Sequence, residues 1–258
     1  MKKTLGSFFL IINYKTILIT ILALISTFVC IHFNFTAKFP DMLVGVAIVF
    51  PVVFSIGSAY TRRETALQRL SDFKGHGIAI YFAMRDWPTD KNNDLADQAR
   101  NIILDMVVIM RDMFKTSHDE NWSKNEKVMY DKFSELSKLT MKMRDVGTQS
   151  GEISRISQYV SKMVIAFDNM KIIHNYRTPI TLRAYSKVFI YIFPIIYGPY
   201  FASAHQDYSM HLEYAMPVLY SFILVSLDNI QDHLENPFDE VGEDDIKIDA
   251  HDTLKQLS

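Results

Sequence analysis

Three apolar side chains spaced one helical turn apart are the residues best suited to act on a solute. Val46, Phe50 and Phe54 recur every four positions, so a helix carries them on one side. Set around a symmetry axis, such a face makes a narrow apolar constriction that gates ions by dewetting. The same spacing serves ordinary helix packing, and spacing alone leaves both readings open. Gly45, Gly57, Ser58 and Ala59 are small and let a second helix approach closely. Pro51 sits within the face, removes one backbone hydrogen bond and predicts a kink unless packing compensates. Other chemistries find little support. The single cysteine, Cys30, excludes an intramolecular disulfide and a cysteine-rich zinc site. The chain has no glycine-rich phosphate loop, no Gly-x-Ser-x-Gly and no acidic or histidine cluster with catalytic spacing, so no enzyme is expected. His118, between Ser117 and Asp119, reads as an exposed-loop histidine, and His205 and His211 as outer-loop residues with at most a pH effect. The 13 methionines are scattered over helical faces, where they fill cores by default.

The elements that must position the face follow from how charge is distributed. The 258 residues are 49% hydrophobic and 22% charged, with a net charge of −2. That average hides segregation. Between Lys15 and Arg62 only Lys38 and Asp41 are charged, and between Lys187 and Asp228 only Asp207 and Glu213 are. This excludes a simple soluble domain, a disordered chain and a basic nucleic-acid binder. Four apolar runs emerge, at residues 17–33, 42–60, 188–204 and 214–227. The first approaches the ~20 residues of a membrane-spanning helix. It is longer than a signal-peptide core of roughly 7–15 residues and has no clear cleavage site, so it reads as half of a helical hairpin. The fourth is short for a span and is expected to extend into its polar flanks. Lys2, Lys3, Lys15, Arg62, Arg63, Arg69, Lys74, Arg177, Arg183 and Lys187 flank the runs on one side. Of Lys and Arg the two hairpin loops carry only Lys38, so both loops read as outside, with the termini and the middle cytoplasmic.

The middle is helical in pattern. A helix continues out of the second run through residues 61–70, Trp87-Pro88 breaks it, and further helices are expected over 96–114, 128–143 and 153–173, with a polar connector at 116–125. The expected fold is all-α: four transmembrane helices in two hairpins with a cytoplasmic helical domain between them. Its parts are residues 1–60, 61–185, 186–230 and an acidic tail, 231–258.

Three stretches, in order, resemble the bestrophin family. Residues 45–60 resemble its pore helix and the small-x-x-Tyr-x-Arg that follows. Residues 176–186, with Pro179 and Tyr185-Ser186, resemble the entry to its third span. Leu234-Glu-Asn-Pro-Phe238 followed by Asp244-Asp-Ile-Lys-Ile-Asp249 resembles its tail. The resemblance implies a homopentameric ion channel with one central pore in the plasma (inner) membrane. It places the pore neck on Val46, Phe50 and Phe54, and a cytoplasmic aperture on Ile180, with Thr178 or Thr181 as alternatives. Two features depart from the family. The segment after Tyr60 is about four residues longer, roughly one helical turn, and Pro51 interrupts the neck. Animal bestrophins bind calcium through an acidic cluster after the Asn-Pro-Phe. The tail here, with Asp239, Glu240, Glu243, Asp244, Asp245 and Asp249, offers Asp244 and Asp245 as weak calcium candidates. It also reads as a solvated acidic segment, and no cofactor is expected.

An apolar neck does not name its ion. Arg62 and Arg63 at the inner mouth raise the local anion concentration, whereas Asp41, Asp207 and Glu213 near the outer face do the opposite. Chloride or another monovalent anion is the expected ion, with a sodium channel of the same fold as the alternative. A membrane-anchored helical scaffold or sensor without a pore is the competing class.

Overall fold

The computed structural model describes residues 13–38, 41–90, 94–115, 120–177, 179–207, 212–238 and 245–256. The described secondary structure is entirely helical: α1 (Tyr14–His32), α2 (Asp41–Asp86), α3 (Leu95–Lys115), α4 (Glu120–Lys142), α5 (Ser150–Asn175), α6 (Ile180–Ile196), α7 (Gly198–Asp207), α8 (Leu212–Glu235) and α9 (Ala250–Gln256). The chain divides into two compact units. The first comprises Met1–Thr61 and Arg177–Glu235, and the second Arg62–Tyr176 and Asn236–Ser258.

In the first unit, α1 starts on a capping box. The Asn13 side chain accepts from the backbone N–H groups of Lys15 and Thr16, at 3.0 and 3.3 Å, and Thr16 Oγ1 accepts from the N–H of Asn13. These bonds satisfy donors that a helix start leaves open. The unit's core is small: Ile19, Val52, Ile190, Phe193, Tyr197, Phe201, Leu224 and Val225. Much of its apolar surface faces outward. Ile17, Leu18, Ile21, Ile25 and Phe28 on α1 are each at least half exposed, a surface that hydrocarbon would cover more favourably than water. α1 and the stretch Ile180–Ser203 are, among the described residues, the two helical segments long and apolar enough to cross a membrane.

The third apolar run was expected to begin at residue 188 as one span. The helix instead starts at Ile180 and breaks after Ile196. Pro199 has no N–H to donate to the Ile195 carbonyl four residues back. That oxygen accepts from Ser26 Oγ at 2.7 Å instead, which ties the break to α1. Gly198 permits the approach, since a Cβ there would lie 2.3 Å from Ser26 Oγ. The fourth run does extend into its polar flank, as α8 ends at Glu235.

The second unit has a conventional core. Ala99, Ile103, Met106, Met110 and Met113 put one face of α3 inside. Phe73, Ile80 and Met84 of α2 are buried, as are Phe114, Phe133 and Phe167. The polar connector expected at 116–125 is helical from Glu120. Trp122 explains the earlier start. Its ring is buried and stacks on His174 at 4.8 Å, drawing a polar segment onto the core. Gly147, at φ 81°, closes the turn after α4 in the left-handed region that glycine tolerates. The chain after α8 also belongs to this unit. Phe238 stacks on Phe114 with centroids 4.9 Å apart, and Ile246 and Ile248 join the same core.

Candidate functional site

The neck residues lie on the first half of α2. Val46, Phe50 and Phe54 are 55%, 61% and 56% exposed, and Val49 and Val53 beside them are exposed as well. The two phenylalanine rings meet edge to face, with centroids 4.7 Å apart and planes at 70°. The opposite side of the same turns is buried: Val52, Ser55 and Ala59 face the unit's interior. α2 therefore has one side committed to its own subunit and a contiguous apolar strip left exposed among the described residues. Strips of that kind mark contact with lipid, with another subunit or with a dewetted path. The helix runs through Pro51 without interruption.

The remaining candidates are placed separately. Ile180 is the first residue of α6 and is strongly exposed, as is Thr181. Thr178 lies outside the described residues. Arg62 donates to the carbonyls of Ile173 and Tyr176, where α5 ends and carbonyls lack helical donors. Arg63 points elsewhere and pairs with Glu64 at 2.5 Å. The two arginines thus do different local work. Of the calcium candidates, Asp245 is half-buried and Asp244 lies outside the described residues, as do Asp239, Glu240 and Glu243. Among the described residues no group of three or more His, Cys, Asp or Glu side chains is arranged to hold a metal ion.

A second constellation escaped the sequence reading. α6 and α8 run antiparallel and are joined by a polar ladder. Arg183 Nη1 donates to Glu235 Oε2 at 2.8 Å, Lys187 Nζ to Asp232 Oδ1 at 3.0 Å, and the Tyr191 hydroxyl to Asp228. α1 joins the ladder through Asn13 Nδ2, which donates to Asn229 Oδ1 at 2.8 Å, and Lys15, 3.8 Å from Asp232. Asp228, Gln231 and Glu235 are buried. Asp228 Oδ1, Glu235 Oε1 and both amide atoms of Gln231 find no partner among the described residues. Each such atom costs about 1–3 kcal/mol if left unpaired. The signal was present in the sequence: Arg183, Lys187 and Tyr191 at i, i+4 and i+8, against Asp228, Asp232 and Glu235 at i, i+4 and i+7.

No protein-family profile matches the sequence, and no curated protein matches it. Solved structures do match its fold. A bacterial bestrophin homologue from Klebsiella pneumoniae superposes with a TM-score of 0.77 at 11% identity, covering 95% of this chain and 96% of that one. One variant of that homologue gives 0.79 at 12% identity, with the same coverage. Another gives 0.74 at 14% identity, covering 98% and 97%. The architecture is thus that of a helical protein with two helical segments apolar enough to cross a membrane and a helical unit inserted between the two parts of the first unit. More narrowly, the chain has the fold of the bacterial bestrophin homologues over nearly its whole length.

Proposed function

We propose that this chain is a divergent bestrophin-like ion channel. Identical subunits, five by the resemblance, surround one axis on which Val46, Phe50 and Phe54 of each subunit form an apolar neck. The observation that carries the reading is the split character of α2. Its Val52–Ala59 side is buried within the subunit, and its aromatic side is exposed among the described residues. Four spans in two hairpins cross the inner membrane, with the termini and the helical unit cytoplasmic. Ile180, exposed at the start of α6, forms a second narrowing. Shape and water exclusion, rather than a charged ring, control passage through such a neck.

Chloride or another small monovalent anion is the ion this reading favours. The Arg62 guanidinium stands at the end of the neck helix segment and biases the local field toward anions, although Glu64 offsets part of the charge on Arg63. The deciding experiment is a reversal potential in reconstituted bilayers under a salt gradient. A potential following chloride supports the proposal. One following sodium retains the channel and replaces the ion. No current, with particles that lack five-fold symmetry, overturns the channel in favour of an anchored scaffold. Calcium is not required in this reading, so chelation leaves the current unchanged.

A further inference from the structure

Beside α2, within the second unit, lies a cleft of about 500 Å³ that the proposed conduction path does not use. One wall is a continuous face of α2: Arg63, Leu67, Leu70, Ser71, Lys74, Gly75 and Ile78. These positions follow a 3–4 residue rhythm, and the stretch from Arg63 to Lys74 spans about 16 Å at the helical rise. The other wall is Asp245-Ile246-Lys247 with Gln256 of α9. The floor is apolar, since Leu70 and Ile246 are buried. The rim is basic, with three cationic side chains against one carboxylate among the lining residues. Lys74 and Lys247 have no ion-pair or hydrogen-bond partner among the described residues. Gly75 opens the space further, since a Cβ there would meet nothing within 4 Å.

We propose that this cleft binds a phosphoryl group carried on a short apolar stem. The ammonium groups of Lys74 and Lys247, the Ser71 hydroxyl and the Gln256 amide come from both walls. That set suits an anion with several oxygens better than a single carboxylate, because each oxygen takes its own donor. Leu67, exposed at the edge, and the buried Leu70 and Ile246 accept the stem. Asp245 disfavours an all-polar dianion held deep in the cleft and leaves the basic rim as the anchoring part. A phospholipid headgroup and a soluble phosphate ester share this chemistry. The site stands whether or not the chain conducts ions.

The test uses the full chain purified in detergent and follows binding by calorimetry. Its probes are short-chain phosphatidylglycerol, hexyl phosphate, inorganic phosphate and short-chain phosphatidylcholine. Saturable binding of phosphatidylglycerol or hexyl phosphate, stronger than that of inorganic phosphate or phosphatidylcholine, is expected. Binding of phosphatidylglycerol alone identifies a lipid headgroup, and binding of hexyl phosphate as well identifies a phosphate-ester site; either supports the proposal. The double variant Lys74→Gln, Lys247→Gln should bind at least about ten-fold more weakly, as loss of charged donors implies. Gly75→Leu fills the cleft without removing charge, and leucine is the better helix former. It should abolish binding while the melting temperature holds or rises. Equal binding of the zwitterionic and anionic lipids, or unchanged affinity in both variants, overturns the site. So does a cross-link from Lys74 to a second copy, which would show the cleft to be filled by protein.

Discussion

One helix, α2, treats its aromatic residues in two opposite ways. In its first half Phe50 and Phe54 are more than half exposed, whereas in its second half Phe73 is sealed, with Ile80 and Met84 beside it. Both halves are helical and both carry phenylalanine, so the aromatic side chain itself does not distinguish them. What differs is the company. α3, α4 and α5 bring Met106, Phe133 and Phe167 into the core that holds Phe73. The apolar strip around Phe50 is left exposed among the described residues. An identical side chain is therefore structural in one half and available in the other, and only the surroundings decide which.

The sharpest way to break this contrast is truncation in each half. Phe73→Ala opens a cavity beside Phe133, whose ring centroid is 6.3 Å away. It should cost about 3–5 kcal/mol. Phe50→Ala removes an exposed ring and should change stability by no more than about 0.5 kcal/mol. Conductance should respond in the reverse order, with the Phe50→Ala, Phe54→Ala double variant altering gating and Phe73→Ala doing so only through loss of folded protein. Thermal denaturation paired with single-channel recording measures both. Equal destabilisation by the two truncations would make the neck face a packing face.

Much of the contrast was legible in the sequence, for physical reasons. Charge segregation marked the apolar runs, and the dense apolar spacing of Ile102, Ile103, Met106, Val107, Ile109 and Met110 marked α3 as a core helix, matching Leu95–Lys115 closely. The four-residue rhythm of Val46, Phe50 and Phe54 marked one side of α2 and could not say whether that side was covered, because coverage depends on other elements. Two features stayed hidden because they arise from long-range partners. α4 begins early because Trp122 docks on His174, 52 positions away along the chain by their numbers. Within the segment read as an acidic tail, Phe238, Ile246 and Ile248 pack in the core of the second unit. Their apolar content is too sparse for periodicity to register. The ladder between α6 and α8 was visible only as two sets of spacings whose pairing required the antiparallel arrangement.

That ladder is the polar counterpart of the neck, and it offers the next test. Glu235→Ala strands the Arg183 guanidinium, which now donates across 2.8 Å to a carboxylate that is almost fully buried. The loss should be about 1–3 kcal/mol, because the stranded charge remains partly desolvated. Replacing both partners with apolar residues, Arg183→Met with Glu235→Leu, should recover part of it. Denaturant titration of the wild type, the single variant and the double variant reads the difference. A double variant no better than the single would mean that Glu235 acts through something other than Arg183. A smaller effect belongs to the cap of α1. Asn13→Ala removes both the helix cap and the bond to Asn229, and should cost about 1 kcal/mol in the same assay.

The smallest effect lies on the surface of the helical unit, where charges are partly covered but still reached by water. Lys171 meets Glu126 at 2.8 Å, Asp168 at 3.0 Å and the Tyr130 hydroxyl at 2.8 Å. Partial burial disfavours its ammonium, but the hydrogen bonds from it to Glu126, Tyr130 and Asp168 outweigh that and raise its pKa above the ordinary 10.5. A lysine whose pKa is raised by folding adds stability that is fully present below its unfolded pKa and lost as pH rises through the folded one. Lys171→Met should therefore destabilise the protein by a constant amount, no more than about 1 kcal/mol because the carboxylates it meets stay partly open to water. That gap should hold from neutral pH to pH 9 and shrink only above the ordinary value of 10.5. Added salt should narrow it at every pH. Paired melting curves of wild type and variant across that range measure the gap, and a gap that widens with pH would assign the stability to the carboxylates instead of the lysine.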